Sequence, residues 1–469
     1  MRKLLWVALA FAGSVAAAAW NYPAARRSDH VDDYHGVNVA DPYRWMEDID
    51  SPETQAWITA ERKLTNETLA EMPERNVIRA RLKALWNFPH FGLPFKEGGH
   101  TFFTKNDGLQ NQAVLCVQDE AASEPRVLID PNALASDGTV ALGVTAASRD
   151  GKWLAYSLKA AGSDWEELFV RDVASGKDAS DRIRWVKFSN IAWTRDSRGF
   201  FYGRFPEVAK GDKLFGKLSH QQIYYHALGT AQSADRLVFE LPEHPEWLTE
   251  ASVSDDGRFL ILAIAQPSLT QNALYYCDLG DPMHPAFGGP VVKLLDAFDA
   301  NYRYVHNDGK TFFVETNANA PRGKIVAIDR QSPAPANWRT IVPESADNTD
   351  AANFFGGRFV VTSMHEVKSR LAVFAVDGKP LGEIPLPGIG AVTGVSGRDD
   401  EPELFLDFSS FLSAPTIFRH DLATGRNDVF QRAKVDFDAA RYTTEQVWVV
   451  SKDGTKLPMF VTHRKDLVR

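Results

Sequence analysis

Cysteine is scarce in this sequence, with Cys116 and Cys277 the only two among 469 residues. Two thiols are too few for a cysteine metal site or a disulfide scaffold. Each lies in an apolar, strand-like run, AVLCV and LYYCD, and reads as an isolated buried thiol rather than half of a bridge. Positive charge is short as well: 52 Lys and Arg face 61 Asp and Glu, a formal charge of −9. A nucleic-acid footprint is basic, so that class of partner is not expected. Long apolar runs are confined to the first residues. Leu4 to Val15 is short for a membrane span, and no cysteine follows it to carry a lipid, so no stable membrane association is expected.

Catalytic signatures are missing too. No serine stands in the G-x-S-x-G spacing of a nucleophile elbow. The nearest case, GVSGR at Gly394 to Arg398, has its second glycine one position early and reads as a tight turn between strands. MHEVK, Met364 to Lys368, lacks the second histidine of the helical zinc signature. His30 and His35 bracket Asp32 and Asp33, which reads as a solvated terminal turn rather than a metal site. Glu166 and Glu167 are adjacent, so a strand points them to opposite faces, unlike two carboxylates working on one bond. No catalytic, cofactor-binding or metal-ligating residue is assigned on this reading, and no cofactor is expected.

What is present begins with MRKLLWVALAFAGSVAAAAW. Arg2 and Lys3, the apolar stretch behind them and the small residues Ala16 to Ala19 make an export signal over residues 1–19, cleaved after Ala18 or Ala19. The expected location is periplasmic or secreted. Beyond it, hydrophobic residues at 44%, with 12 Trp and 29 Phe, supply a large core.

The middle of the chain repeats itself. An Asp-Gly or Gly-rich turn leads into an aromatic strand, as in SRDGKWLAYS, TRDSRGFFYG, SDDGRFLILA and HNDGKTFFVE. A companion strand follows each, as in ELFVRDVASG, QIYYHALG, ALYYCDLG and KIVAIDR. Such turns supply the positive φ of tight hairpins, and aromatic and β-branched runs suit strands. Seven companions begin near residues 112, 167, 222, 273, 324, 370 and 416. A period of this size marks propeller blades, and it accounts for a length beyond one ordinary core. The expectation is an all-β propeller of seven blades over residues 93–438, with stacked sandwiches as the alternative.

Both flanks differ from the repeat. Residues 20–92 contain two helices. Ser51 is the N-cap of the first, Pro52 its first residue, and Glu53 adds a favourable charge there. Trp57, Ala60 and Leu64 then fall on one face, as do Val77, Leu82, Leu85 and Trp86 of the second helix. At the other end, residues 439–469 form a hairpin around Asp453 and Gly454, within EQVWVVSKDGTKLPMFVTHRK. Two strands alone leave exposed edges. Both flanks read as parts of another domain.

At this point the sequence resembles the prolyl oligopeptidases, serine peptidases that cleave after proline. VDDYHGVNVADPYRWMEDIDSPETQAWITAERKLTNETL is similar to their N-terminal stretch. GSDWEELFVRDVASG, FSNIAWTRDSRGFFYGRF and QQIYYHALGTAQSADRLVF resemble their propeller strands, and SKDGTKLPMFVTHRKDL the opening of their catalytic domain. The resemblance implies a seven-bladed propeller capping an α/β-hydrolase domain that is incomplete here. It implies action on short proline-containing peptides, with the propeller restricting access. The family's catalytic serine, aspartate and histidine lie beyond the last residue of this chain, so none is carried over and the chain alone is expected to be inactive. Ser268 occupies the place of a substrate-side cysteine found in some members. A non-catalytic propeller that binds a peptide or protein is the alternative, and a separate chain supplying the hydrolase domain a weaker third.

Overall fold

The computed structural model describes residues 20–120, 124–207 and 218–467. The expected leader, residues 1–19, lies outside them. The described residues form two compact units that divide between Leu82 and Lys83.

In the first unit, Val31–Tyr34 pairs with Val37–Ala40 through a turn in which His35 and Gly36 both take positive φ. Helix α1, Pro52–Ala70, starts where the sequence places it: Ser51 Oγ accepts the Thr54 N–H at 3.2 Å, and Glu53 lies in the first turn. Thr54 is buried and donates to the Trp45 carbonyl at 3.1 Å, which pins the start of the helix. Pro73 follows and disfavours continuation. Helix α2, Glu74–Trp86, leaves Val77, Ile78 and Leu82 exposed.

The second unit is built from antiparallel sheets. Residues 90–129 make a five-stranded sheet, and residues 248–295, 302–342, 348–383 and 391–432 make four of four strands each. Between the first of these and the rest, residues 140–240 form one continuous seven-stranded sheet. The expectation of seven separate blades is therefore corrected: five separate blades are present, alongside that one larger sheet. The cause is local. The strand Asp178–Trp193 runs for 16 residues without Gly or Pro. It pairs with Glu166–Asp172 through its first part and with Gly199–Arg204 through its second, so no sheet edge is released between them.

Aromatic faces join neighbouring sheets. Phe259, Ile261 and Tyr276 of one blade pack on Tyr302, Phe312 and Val314 of the next, all buried. The Phe259 and Phe312 rings meet edge to face at 4.9 Å. Cys116 and Cys277 are both buried and free, and burial pushes the Cys277 thiol up to about 11. The closing hairpin pairs Tyr442–Val450 with Lys456–Arg464, turning at Gly454 with φ +85°.

The GVSGR segment is not a turn. Gly394 and Gly397 lie inside the strand Ala391–Gly397. A Cβ at Gly394 would stand 2.9 Å from Leu93, and one at Gly397 would stand 2.9 Å from Phe355. These glycines allow close approach of neighbouring sheets rather than a reversal of the chain.

Candidate functional site

Residues from three successive sheets line one cavity. Its walls come from Phe95 and Glu97, from Val144 to Ala147, from Asn190 to Trp193 and from Ala251 to Val253, and its volume is about 570 Å³. The strands Val140–Ala147, Asp178–Trp193 and Leu248–Val253 each run into a turn beside it. The turns there follow one plan. Ser148 Oγ, Thr194 Oγ1 and Ser254 Oγ each donate at 2.6 Å to the aspartate two residues on, Asp150, Asp196 and Asp256. This side-chain bond closes the turn locally, which is why the sequence repeats Ser/Thr-x-Asp there.

The residue between the two turn partners points toward the axis. In successive turns it is Arg149, Arg195 and Asp255, and Arg398 enters from the last blade. Arg149 Nη1 is 3.0 Å from Glu97 Oε1, and Arg149 Nη2 pairs with Asp255. Arg398 Nη1 lies 2.5 Å from the same Glu97 oxygen, and its Nη2 is 3.5 Å from Asp255 Oδ1. Arg195 donates to the Asp255 carbonyl. From the next side, His306 Nδ1 meets Asp399 Oδ2 at 2.5 Å, with the imidazole stacked on Phe354 at 3.8 Å. Asn307 donates to Asp256 at 2.7 Å. The result is a ring of alternating charge across one end of the cavity.

Burial dominates its electrostatics. It holds the Glu97 carboxyl above the usual glutamate range although Arg149 and Arg398 pull the other way. Burial likewise raises Asp399 against the hydrogen bond from His306. Burial also opposes the Arg398 cation, yet Glu97, Asp255 and Asp400 outweigh it and strengthen the proton's hold. The pairs are strong locally because water is partly excluded, and Arg149 and Arg398 each serve at least two acceptors.

The opposite ends of the sheets 348–383 and 391–432 carry different chemistry. The hairpin anchors there: Gln446 donates to the Glu366 carbonyl at 2.6 Å, Lys368 donates to Gln446 at 3.1 Å, and Phe460 lies 5.7 Å from Phe411. Around these contacts Val367, Phe411 and Val450 are exposed by 57%, 65% and 67%. Trp448, Leu457 and Met459 add to the apolar surface.

The residues considered from sequence lie elsewhere. His30 bonds Asp32 at 3.1 Å and Asp33 caps the Gly36 N–H, while Asp32 also pairs with Arg44. Among the described residues no group of three or more His, Cys, Asp or Glu is arranged to hold a metal. Glu166 is buried against Ser157 and Lys159, whereas Glu167 faces Arg182 and Arg184. His365, in MHEVK, bonds Asp347 at 2.8 Å. Ser268 lies in an exposed turn. The charged ring was missed because its members look like ordinary turn residues. The available signal was a charge at the same turn position of successive repeats.

Residues 22–433 match the family described as "Prolyl oligopeptidase, N-terminal beta-propeller domain". A prolyl endopeptidase of Elizabethkingia miricola is 35% identical over 470 residues, covering 99% of this chain and 65% of its own length. The "Dual function macrocyclase-peptidase POPB" of Galerina marginata is 33% identical, with 96% and 66% covered. Among solved structures, Galerina marginata prolyl oligopeptidase B bound to a 25mer macrocyclization substrate superposes with a TM-score of 0.82 at 32% identity, over 95% of this chain and 65% of that one. The chain thus spans about 65% of the length of the first of these relatives. Among the described residues no helix is long and apolar enough to cross a membrane.

Proposed function

Since the chain belongs to the prolyl oligopeptidase family, of which it is the N-terminal propeller portion, we propose that it is the access-restricting part of an exported serine endopeptidase acting on short proline-containing peptides. The observation that carries this reading is the difference between the two ends of the sheets. One end is crossed by the ring of Glu97, Arg149, Asp255 and Arg398. The other presents the apolar surface around Phe411 and Val450, on which a peptidase domain would rest. A cavity of about 570 Å³ admits a short peptide and not a folded chain. The chain by itself does not hydrolyse peptides, because the resemblance assigns it none of the groups that perform acyl transfer.

Expression of this chain with its leader in a Gram-negative host tests the reading. A mature product beginning near Trp20, recovered outside the cytoplasm and inert toward an internally quenched proline-containing peptide, is expected. Retention of residues 1–19 in the cytoplasm would overturn the export reading. Turnover by the purified chain would overturn its inactivity. Capture of a long folded substrate in preference to a short peptide would overturn the access reading.

A further inference from the structure

The seven-stranded sheet contains a polar assembly that takes no part in the cavity. His226, on the strand Gln222–Ala227, is completely buried, and the side chains of its partners Asp181 and Asp235 are 1% and 0% exposed. His226 Nε2 lies 2.9 Å from Asp181 Oδ1, and Nδ1 lies 2.7 Å from Asp235 Oδ1. A neutral imidazole has one N–H and can serve only one carboxylate. Two carboxylates on its two nitrogens are both served when the ring is an imidazolium. The remaining acceptors are partly filled: Asp181 Oδ1 also takes the Gly229 N–H at 2.7 Å, and Asp235 Oδ2 takes the Tyr202 hydroxyl at 2.6 Å. Asp181 Oδ2 is buried without a hydrogen-bond partner.

The position of the trio gives it meaning. Asp181 belongs to the first part of the long strand Asp178–Trp193, next to Arg182, which pairs with Phe169. His226 belongs to the strand Gln222–Ala227 and Asp235 stands immediately before the strand Arg236–Glu240, both beyond that strand's second part. The trio therefore ties together the two portions of the sheet that the long strand joins. The other groups facing it are few. Phe200 packs on the imidazole at 5.4 Å, the Tyr202 hydroxyl meets Asp235, and Gln232 and Arg204 act on that hydroxyl, the arginine stacked over Tyr224 at 3.8 Å.

We propose that Asp181, His226 and Asp235 form an ionic bolt that makes residues 140–240 one rigid sector of the ring, confining any opening of the ring to the seams between the separate blades. Burial works against the His226 charge, but Asp181 and Asp235 outweigh it and raise the imidazolium to about 9 from 6.5. Burial also works against the Asp181 anion, yet His226 and the Gly229 N–H keep it below the usual aspartate range. The signs follow. The raised histidine contributes stability that is complete below 6.5 and is lost as pH rises through about 9. The lowered aspartate contributes stability present above 3.8 and lost as pH falls through its depressed value. The bolt is shut across neutral pH and releases on the alkaline side.

Hydrogen exchange read by mass spectrometry on this chain, from pH 7 to 10 and corrected for intrinsic base catalysis, tests the bolt. Protection of residues 178–193 and 222–227 is expected to fall at least ten-fold more than that of residues 259–265 and 311–316. His226→Gln should remove that step and lower protection of the same strands at pH 7. Tyr202→Phe, which keeps all three charged partners, should retain the step, and it decides the question if the His226 variant fails to fold. Corrected protection that stays flat through pH 10, a step shared equally by the separate blades, or a step that survives in His226→Gln would each overturn the proposal.

Discussion

The two ends of the repeating sheets have opposite chemistry. At one end the turns bring Arg149, Arg195, Asp255, Arg398 and Asp399 together, and nearly every charge is answered by another. At the other, Val367, Phe411 and the hairpin residues Trp448 and Val450 leave apolar surface uncovered. The lesson is that a propeller blade specifies its faces through burial but leaves its turns free. Each end can then be written independently of the fold. Paired charges at the first end cost little solubility and fix the geometry. Uncovered apolar groups at the second do the reverse, which suits a surface meant to be covered.

Substitutions can break that comparison. The largest effect is expected from Arg398→Met, which leaves Glu97 with a single cation and Asp255 with fewer contacts in a region largely shielded from water. A loss of about 3 kcal/mol, the low end for removing one partner from a buried pair, should appear in denaturant unfolding. Arg149→Lys is the intermediate case. It keeps the charge but cannot fork between Glu97 and Asp255, and about 1–2 kcal/mol should be lost. Should Arg149→Lys match the parent protein, the forked geometry is not what holds the ring. At the apolar end Val450→Lys should change stability by no more than ~0.5 kcal/mol, while reducing self-association in analytical ultracentrifugation. A large loss of stability from that change would show that the exposed end is already covered within this chain.

A separate measurement addresses the space between the ends. Cys116 and Cys277 are 3% and 5% exposed, and burial raises both thiols. Neither should react with a thiol reagent at pH 8 in the native protein, and two equivalents should appear after unfolding.

Much of this was legible in the sequence because turn chemistry and strand patterning agree. Ser148-x-Asp150, Thr194-x-Asp196 and Ser254-x-Asp256 mark the reversal after a cavity-lining strand, and Ser51 with Pro52 marks the helix start. The number of separate blades was not legible. Counting companion strands assumes that a sheet ends where a unit ends, and the run Asp178–Trp193 contains no residue that forces an end. Trp185 and Phe188 take positive φ within it, so the strand bends between its two partners instead of stopping. Nor was the role of Gly394 legible, since a glycine reads alike whether it serves a turn or a close approach, and only Leu93 opposite decides. The charged ring escaped for a related reason. Glu97 and Arg398 are 301 residues apart, and no local pattern pairs them.

That separation has a consequence for how the molecule assembles. Among the described residues every sheet of the second unit is made from contiguous chain, and no strand is exchanged between the sheet of residues 90–129 and that of residues 391–432. Their junction rests on side chains: Ser396 on the Pro94 carbonyl, Arg398 on Glu97, and Phe103 against Phe430 at 6.0 Å. Individual sheets can therefore form in order as the polypeptide emerges, each needing only short loops. Joining the first sheet to the last is the one step that closes a long loop, at an entropic cost of roughly 5 kcal/mol for some 300 residues. Side chains, and no shared strand, close the circle.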